Sequence, residues 1–250
     1  MRDAGSLGDR PRVLVAIPYP SVQWVREYEW HDRHSRAEIE LVVFEDTGVW
    51  ETASSASLPI TLLPKRASAV LESSAPDVVV IHGLVQPKAV RSIRRFCSRH
   101  GIPFVVRTDG NIVRETVRPF RHRVKRPLYR RVIRAASAIA VAGTQNRRFY
   151  ESFTSADEVR HREVFLPFRL DIDSLDTIGP GSRSEARAHF GLEDSDTVVT
   201  VVSRVSSEKG IDLFVDAMDG LAGRARAAVG LIAGSGPQME ELGRRSRALG

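Results

Sequence analysis

Short apolar runs alternate along this chain with longer amphipathic stretches, and this alternation constrains the possible folds more than any other feature. Residues 78–81 and residues 138–142, for example, are apolar throughout. Continuous apolar runs, rather than strictly alternating ones, are typical of parallel strands that are covered on both faces. Because the connection between two parallel strands is a right-handed crossover, the pattern predicts an α/β fold with an open, doubly wound sheet.

The expected elements follow from that pattern. Strands are predicted at residues 12–17, 39–44, 78–81, 104–106, 138–142, 164–166, 197–202 and 229–233. Helices are predicted at residues 22–34, 87–100, 127–136, 145–153, 184–190, 211–221 and 239–249. Gly179, Pro180 and Gly181 interrupt the alternation and indicate a loop or linker. We therefore expect an N-terminal domain of residues 10–176 and a partial second domain of residues 184–250.

The overall charge indicates an anionic partner. The formal net charge is +6 and the sequence pI is about 10.0, so a sugar nucleotide, an anionic lipid surface and nucleic acid all qualify. The single cysteine, Cys97, excludes an intrachain disulfide bond. The N-terminus has no apolar signal-peptide core, and no run reaches the roughly 18 apolar residues that span a bilayer. A cytoplasmic location is therefore expected.

Two motifs follow the last two predicted strands. Arg204, Lys209 and Gly210 come after the strand at 197–202, and Gly234-Ser235-Gly236 comes after the strand at 229–233. Ligands of open α/β sheets bind outside the carboxyl ends of the strands. An arginine fork, a lysine and the N–H groups at a helix start suit a diphosphate. The glycines either allow a phosphate to approach the backbone or form a turn that needs a positive φ.

Ser203-Arg204 with Glu208-Lys209-Gly210, and Ile232-Ala-Gly-Ser-Gly-Pro237, resemble the donor half of group 1 glycosyltransferases. That resemblance implies a GT-B fold with two facing Rossmann-like domains. It also implies retaining transfer from a nucleotide-diphosphate sugar, with no cofactor and no metal. Arg204 and Lys209 would hold the diphosphate and stabilise its developing charge as the sugar leaves.

The chain departs from the family in two places. The glycine pair that many members carry after the first strand is replaced by a segment containing Ser21, Gln23 and Trp24, which are candidates for binding donor or acceptor. The paired glutamates of the family, one at the donor sugar and one at the ribose, would fall after residue 250. We therefore expect a C-terminally truncated member with little transfer activity alone. The alternative is a module that binds a sugar nucleotide or a partner chain that completes its second domain.

His82 and Asp109 follow two strands of the first domain and are candidates for orienting the sugar or a glycan or lipid-linked acceptor. The alternatives are a histidine satisfied by backbone and an ordinary Asp-Gly turn. Asp171 and Asp173 have the D-x-D spacing of metal-dependent sugar transferases. They are interpreted as loop caps, because a hard-cation site needs more converging oxygen ligands.

Residues 114–134 form a strongly basic amphipathic stretch. Its basic residues are Arg114, Arg118, Arg121, Arg123, Lys125, Arg126, Arg130, Arg131 and Arg134, and Glu115 is the only acid. Such a stretch is typical of a segment that contacts an anionic membrane surface, here from the inner face. A solvated crossover helix is the alternative. Nucleic acid is an unlikely partner, because RNP-type and zinc-finger signatures are absent from the sequence.

Overall fold

The computed structural model describes residues 10–19, 21–44, 56–62, 68–84, 87–110, 119–169, 180–221 and 228–248. The chain divides into two compact units, Met1–Ile172 and Asp173–Gly250. Each unit is described by itself below.

The first unit is built on a seven-stranded sheet in which every strand pair is parallel. Its strands are β1 (Arg12–Ile17), β2 (Glu38–Val43), β3 (Ile60–Leu62), β4 (Val78–His82), β5 (Phe104–Arg107), β6 (Ala138–Val141) and β7 (Glu163–Phe165). The strand order is β3-β2-β1-β4-β5-β6-β7, so the direction of winding reverses between β1 and β4. In a doubly wound sheet such a reversal opens a crevice at the carboxyl ends of the two strands.

Helices cover both faces of this sheet, as the continuous apolar strands require. They are α1 (Val22–His34), α2 (Ser68–Ser74), α3 (Pro87–His100), α4 (Pro119–Ala135), α5 (Thr144–Glu151) and α6 (Ala156–Arg160). On one face Leu14 and Ala16 pack in a core with residues of α2 to α5, including Ile93 and Ile133. On the other face Val15 and Ile17 pack against α1. Alternate residues of β1 therefore pack in two separate cores, one on each face of the sheet.

Several elements differ from the sequence prediction. The sequence analysis missed β3, α2 and α6, which have only three, seven and five residues. Helix α4 begins at Pro119 instead of residue 127, so Pro127 lies inside the helix, where it has no N–H to donate. The prediction that residue 127 starts this helix is therefore wrong. A proline is common at a helix start, but sequence alone does not show that the same helix already began upstream.

The second unit contains a two-stranded parallel sheet, β8 (Thr197–Val202) and β9 (Ala228–Ala233). Its helices are α7 (Pro180–His189), α8 (Ile211–Leu221) and α9 (Met239–Ala248). The prediction that Pro180 and Gly181 form a loop is wrong, because α7 begins at Pro180. Proline fits this position because the first helical N–H has no partner within the helix.

One face of the β8–β9 sheet carries the core of the second unit. Val205, Ile211, Val215 and Leu242 form this core, with Val201 and Ile232 of the two strands packed against it. Val202, which neighbours Val201 and points to the opposite face, is 78% exposed. The second unit therefore buries a much smaller core than the first.

Among the described residues, no helix is both long and apolar enough to cross a membrane.

Candidate functional site

The crevice between β1 and β4 is lined by backbone that follows each strand. Pro18 and Tyr19 follow β1, and Gly83 follows β4. Gly83 has a φ of +76° and its N–H donates to the Arg107 carbonyl at 2.7 Å. Glycine is needed at this φ, because a side chain there would strain the backbone.

His82, the last residue of β4, is only 2% exposed. Its Nε2 is hydrogen-bonded to the Tyr28 hydroxyl, and Arg107 Nη1 donates to the same hydroxyl at 3.0 Å. Since Arg107 can only donate, the Tyr28 proton is directed to His82 Nε2, which accepts it. His82 is therefore a neutral imidazole with its proton on Nδ1. Burial, reinforced by the charge of Arg107, lowers the pKa of His82 to about 3.

A buried ion pair supports this histidine. Arg107 Nη2 lies 2.5 Å from Glu27 Oε1, and the side chains are 1% and 0% exposed. Burial acts to lower the pKa of Arg107, but Tyr28 and Glu27 outweigh burial and raise it. Glu27 Oε1 also accepts the Arg169 N–H at 3.2 Å, while Glu27 Oε2 is buried and has no hydrogen-bond partner. We call Glu27, Tyr28, His82 and Arg107 the buried polar cluster.

The sequence analysis did not find Glu27 or Tyr28. One signal was present: Glu27 stands between Val25 and Tyr28 in α1, and all three are buried. A charged residue inside the apolar face of a helix indicates a buried partner, since an unpaired carboxylate in a core is costly. The partner, Arg107, is 80 residues away in sequence, and pairing at that separation requires the fold.

An aromatic surface lies beside the cluster. The Trp24 ring is 5.1 Å from His82 and 5.2 Å from Tyr19, which is 43% exposed. Ser21, a candidate binding residue, caps α1 by accepting the Trp24 N–H at 3.2 Å. Gln23 is exposed. The aromatic surface is suited to pack against a sugar or a base.

Asp109 lies in the loop that follows β5 and is exposed. Asn146, a buried residue of α5, holds this loop: its Nδ2 donates to the carbonyls of Thr108 and Gly110 at 2.9 and 2.8 Å. Asn146 Oδ1 accepts the Ala142 N–H at 3.0 Å, which ties the loop to the end of β6. A Cβ at Gly110 would come within 2.7 Å of the Phe149 ring, so this loop packs closely on α5. The backbone on both sides of Asp109 is therefore held, while its side chain is exposed. Asn146 was not predicted from the sequence.

In the second unit, Arg204 and Lys209 follow β8 and are both exposed. Neither forms an ion pair within the described part of the chain. Residues Ser207–Lys209 form a 3₁₀ turn, which Gly210 closes in the left-handed conformation with φ 64° and ψ 33°. Helix α8 then begins at once, so Lys209 lies beside a helix N-terminus.

The glycines of the turn after β9 are required by packing. A Cβ at Gly234 would overlap the Ser203 carbonyl oxygen, and one at Gly236 would overlap the Val205 carbonyl oxygen. Neither glycine has a positive φ. Val205 and Ser235 are joined by a backbone hydrogen bond of 2.9 Å. The turn therefore lies directly against the end of β8, which brings Ser235 next to the segment that carries Arg204.

Two further polar groups at this strand end were not predicted. Ser206 Oγ and Gln238 Oε1 are buried and have no hydrogen-bond partner among the residues that the structure describes. Both belong to residues next to Val205, since the Gln238 N–H donates to the Val205 carbonyl at 3.2 Å. We call Arg204, Ser206, Lys209, Ser235 and Gln238 the second-unit strand end. Exposed cations beside the Ser206 hydroxyl, which can donate a hydrogen bond, form a place where an anion can bind, whereas Gln238 Oε1 can only accept.

Asp171 and Asp173 lie outside the described residues. Within the described ranges, no group of three or more His, Cys, Asp or Glu side chains is arranged to hold a metal ion.

Parts of the chain are similar in sequence to two known glycosyltransferases. No protein-family model matches the chain. The chain is 40% identical over 108 residues to a D-inositol 3-phosphate glycosyltransferase of Mycobacteroides abscessus, which covers 42% of this chain and 24% of that protein. It is 30% identical over 147 residues to a GDP-mannose-dependent α-(1-6)-phosphatidylinositol monomannoside mannosyltransferase of Mycolicibacterium smegmatis, covering 58% and 36%. The matched segments thus span 24% and 36% of the lengths of these curated relatives.

Solved structures show the same fold. Anabaena Alr3699/HepE in complex with UDP and glucose superimposes with a TM-score of 0.67 at 14% identity, over 95% of this chain and 65% of that one. A glycosyltransferase from Rickettsia africae gives a TM-score of 0.69 at 11% identity, over 96% and 64%. The predicted resemblance to glycosyltransferases and the predicted GT-B-like α/β fold are confirmed.

Proposed function

We propose that this chain takes part in glycosyl transfer from a nucleoside-diphosphate sugar, and that the second-unit strand end binds the donor diphosphate. One observation carries the proposal: Arg204 and Lys209 are exposed at the end of β8, beside the start of α8, and form no ion pair with any described residue. Two curated relatives that are glycosyltransferases by name support it, as does a similar fold solved with UDP and glucose.

The chemistry of the leaving group explains the need for these cations. During transfer, the bond between the anomeric carbon and the diphosphate oxygen breaks, and the electron pair stays on that oxygen. The diphosphate gains negative charge, which a guanidinium fork and an ammonium group stabilise more strongly than they stabilise the bound donor. Arg204 and Lys209 supply these two groups, and the Ser206 hydroxyl offers a further hydrogen-bond donor.

In the first unit, we assign different roles to the buried and the exposed groups. The buried polar cluster fixes the ends of β4 and β5 and keeps His82 neutral, so that Tyr19 and Trp24 present a rigid surface on which a sugar ring can pack. Asp109 lies on the loop that Asn146 holds, and there it orients the acceptor hydroxyl or receives its proton. The acceptor in this proposal is a glycan or a lipid-linked sugar, and transfer proceeds with retention.

Calorimetry with UDP, GDP and ADP tests the diphosphate site. Arg204→Ala and Lys209→Ala should each weaken binding by about 1–3 kcal/mol, the usual cost of removing a charged hydrogen-bond partner. Arg244→Ala is the matched control, because Arg244 is an exposed arginine of the same unit that lies on α9. Unchanged affinity in both variants, with a wild type that binds, would refute the diphosphate role.

The configuration of the product tests retention separately. A donor sugar of known anomeric configuration is incubated with the chain and an acceptor, and the new linkage is read by NMR. A product with the opposite configuration would refute retention and leave the diphosphate site standing.

We also propose that the basic part of α4 contacts an anionic membrane surface. Arg123, Arg126 and Arg130 are exposed and form no ion pair among the described residues, whereas Arg134 pairs with Glu158 at 2.7 Å. Surface attraction is worth about 1 kcal/mol for each basic residue, so Arg123→Gln with Arg126→Gln should weaken binding to phosphatidylglycerol vesicles, and added salt should do the same. A wild type that ignores such vesicles at low salt would refute this contact.

A further inference from the structure

A groove of about 390 Å³ lies between α3 and α4 in the first unit. Its polar wall consists of four arginines, Arg91, Arg94 and Arg95 of α3 and Arg131 of α4. Val90 and Val132, both buried, form part of its apolar floor. The volume falls within the range of about 300–1,000 Å³ that is typical of small-molecule sites.

The spacing of the arginines directs them to one place. Residues three and four apart lie on the same face of a helix, so Arg91, Arg94 and Arg95 share a face of α3. Neither α3 nor α4 contains an aspartate or a glutamate, over 14 and 17 residues. The helices therefore bring positive charge to the groove and no negative charge of their own.

Other arginines of the same unit have carboxylate partners. Arg107 pairs with Glu27, Arg134 with Glu158 and Arg147 with Glu163. Within the described ranges, the four groove arginines form no ion pair. Arg94 Nε is buried and has no hydrogen-bond partner in the described part of the chain. A buried donor of this kind costs free energy until an acceptor reaches it.

The charges in the groove also repel each other. Burial lowers the pKa of Arg94, and the neighbouring charges of Arg131 and Arg91 lower it further. Each guanidinium stays charged, so the repulsion persists while the groove is empty. An anion between the two helices would relieve the repulsion and give Arg94 an acceptor.

We propose that this groove binds a phosphate group, held by Arg94 and Arg131 with Arg91 and Arg95 at its rim. Guanidinium groups match phosphate oxygens with paired N–H donors, which is why arginine prevails in phosphate recognition. The apolar floor accommodates an organic part that carries the phosphate. That group belongs either to a soluble phosphate compound or to a lipid headgroup. The proposal does not depend on the donor site of the second unit.

The test uses the full chain with Arg204→Ala and Lys209→Ala in every sample, so that anion binding at the second-unit strand end does not contribute. Arg94→Gln with Arg131→Gln is compared with the control Lys88→Gln with Arg99→Gln, which removes the same number of charges from exposed positions of α3 outside the groove lining and leaves the membrane-contact residues of α4 unchanged. Inorganic pyrophosphate is titrated by calorimetry. Vesicles of phosphatidylcholine with and without phosphatidic acid are tested by sedimentation.

Groove binding predicts that the groove variant loses at least about tenfold in affinity, as expected for two charged hydrogen-bond partners, while the control pair loses much less. Saturable pyrophosphate binding with this pattern identifies a soluble phosphate compound as the source. The same pattern only with phosphatidic acid vesicles identifies a lipid headgroup. Equal losses in the two pairs, or no binding of either probe by the chain with an intact groove, would overturn the proposal. Circular dichroism checks that each variant is folded.

Discussion

The basic residues at the strand ends are buried and bonded in the first unit but exposed in the second. In the first unit, Arg107 and His82 are buried, and each is bonded to a neighbour on another element. In the second unit, Arg204 and Lys209 are exposed and have no ion pair within the described ranges. Both sets follow parallel strands, so position on a sheet alone does not decide what a charged residue does.

The two sets of charges differ because one is buried in a core and the other is exposed to solvent. A charge placed in a core must have a partner, and in the buried polar cluster Arg107 donates to both Glu27 and Tyr28. A charge left at the surface keeps its donors available to a ligand. The first unit thus stabilises its strand ends with polar contacts, while the second leaves them open for binding.

The largest expected effect concerns the stability of each unit by itself. A two-stranded sheet with a covering layer on one face is marginal, and Val202 is largely exposed. We expect residues 173–250 alone to show no cooperative unfolding in urea, whereas residues 1–172 should unfold in one transition. Circular dichroism checks both fragments. A sigmoidal transition of the second unit alone would contradict this expectation.

The same substitution should have opposite consequences at the two strand ends. Arg107→Leu leaves Glu27 buried without its cation, and loss of one member of a buried pair typically costs about 3–5 kcal/mol. Arg204→Leu removes a charge that contacts no acid, so the free energy of unfolding should change by no more than about 0.5 kcal/mol. Urea unfolding of the full chain measures both. Similar losses in the two variants would remove the contrast between the units.

Glycine substitutions in the second unit test how closely the turn after β9 packs against the end of β8. Ala at Gly234 or Gly236 would place a Cβ on the backbone of Ser203 or Val205, which cannot move as a side chain can. We expect a loss at the upper end of the roughly 1–3 kcal/mol that overpacking costs. Gly220→Ala is the control in the same unit, because a Cβ there meets nothing within 4 Å. Equal losses at Gly220 and Gly234 would show that the turn does not pack as described.

Most strands of the first unit were predicted well, because the apolar pattern of each strand lies within a few consecutive residues. Residues 13–17 of the first strand are apolar throughout, and helices such as Val22–His34 and Pro87–His100 were predicted with their observed bounds. Elements of three to seven residues carry too short a pattern, and so Ile60–Leu62 and Ser68–Ser74 were missed.

Whether a candidate residue could be predicted also depends on how close its partners are in sequence. Arg204 and Lys209 belong to a local motif, so sequence could propose them. Glu27 and Asn146 act through partners 80 and 38 residues away, and only the fold brings such groups together.

The smallest expected effect is a pH dependence that arises from His82. Burial keeps its pKa at about 3 in the folded chain, against 6.5 in the unfolded chain. Below pH 6.5 the unfolded state therefore takes up a proton that the folded state does not bind, and stability falls as the pH falls toward 3. Between pH 7.5 and pH 5, this single group should lower the free energy of unfolding by about 2 kcal/mol.

His82→Gln is the control variant, because glutamine keeps an acceptor for the Tyr28 hydroxyl and cannot titrate. The free energy of unfolding of this variant should therefore fall less over the same interval. Urea unfolding at the two pH values measures the difference, to which His31 contributes equally in both proteins. Identical pH dependence of the two proteins would mean that His82 is accessible to solvent protons and that the first unit leaves its strand end open, as the second unit does.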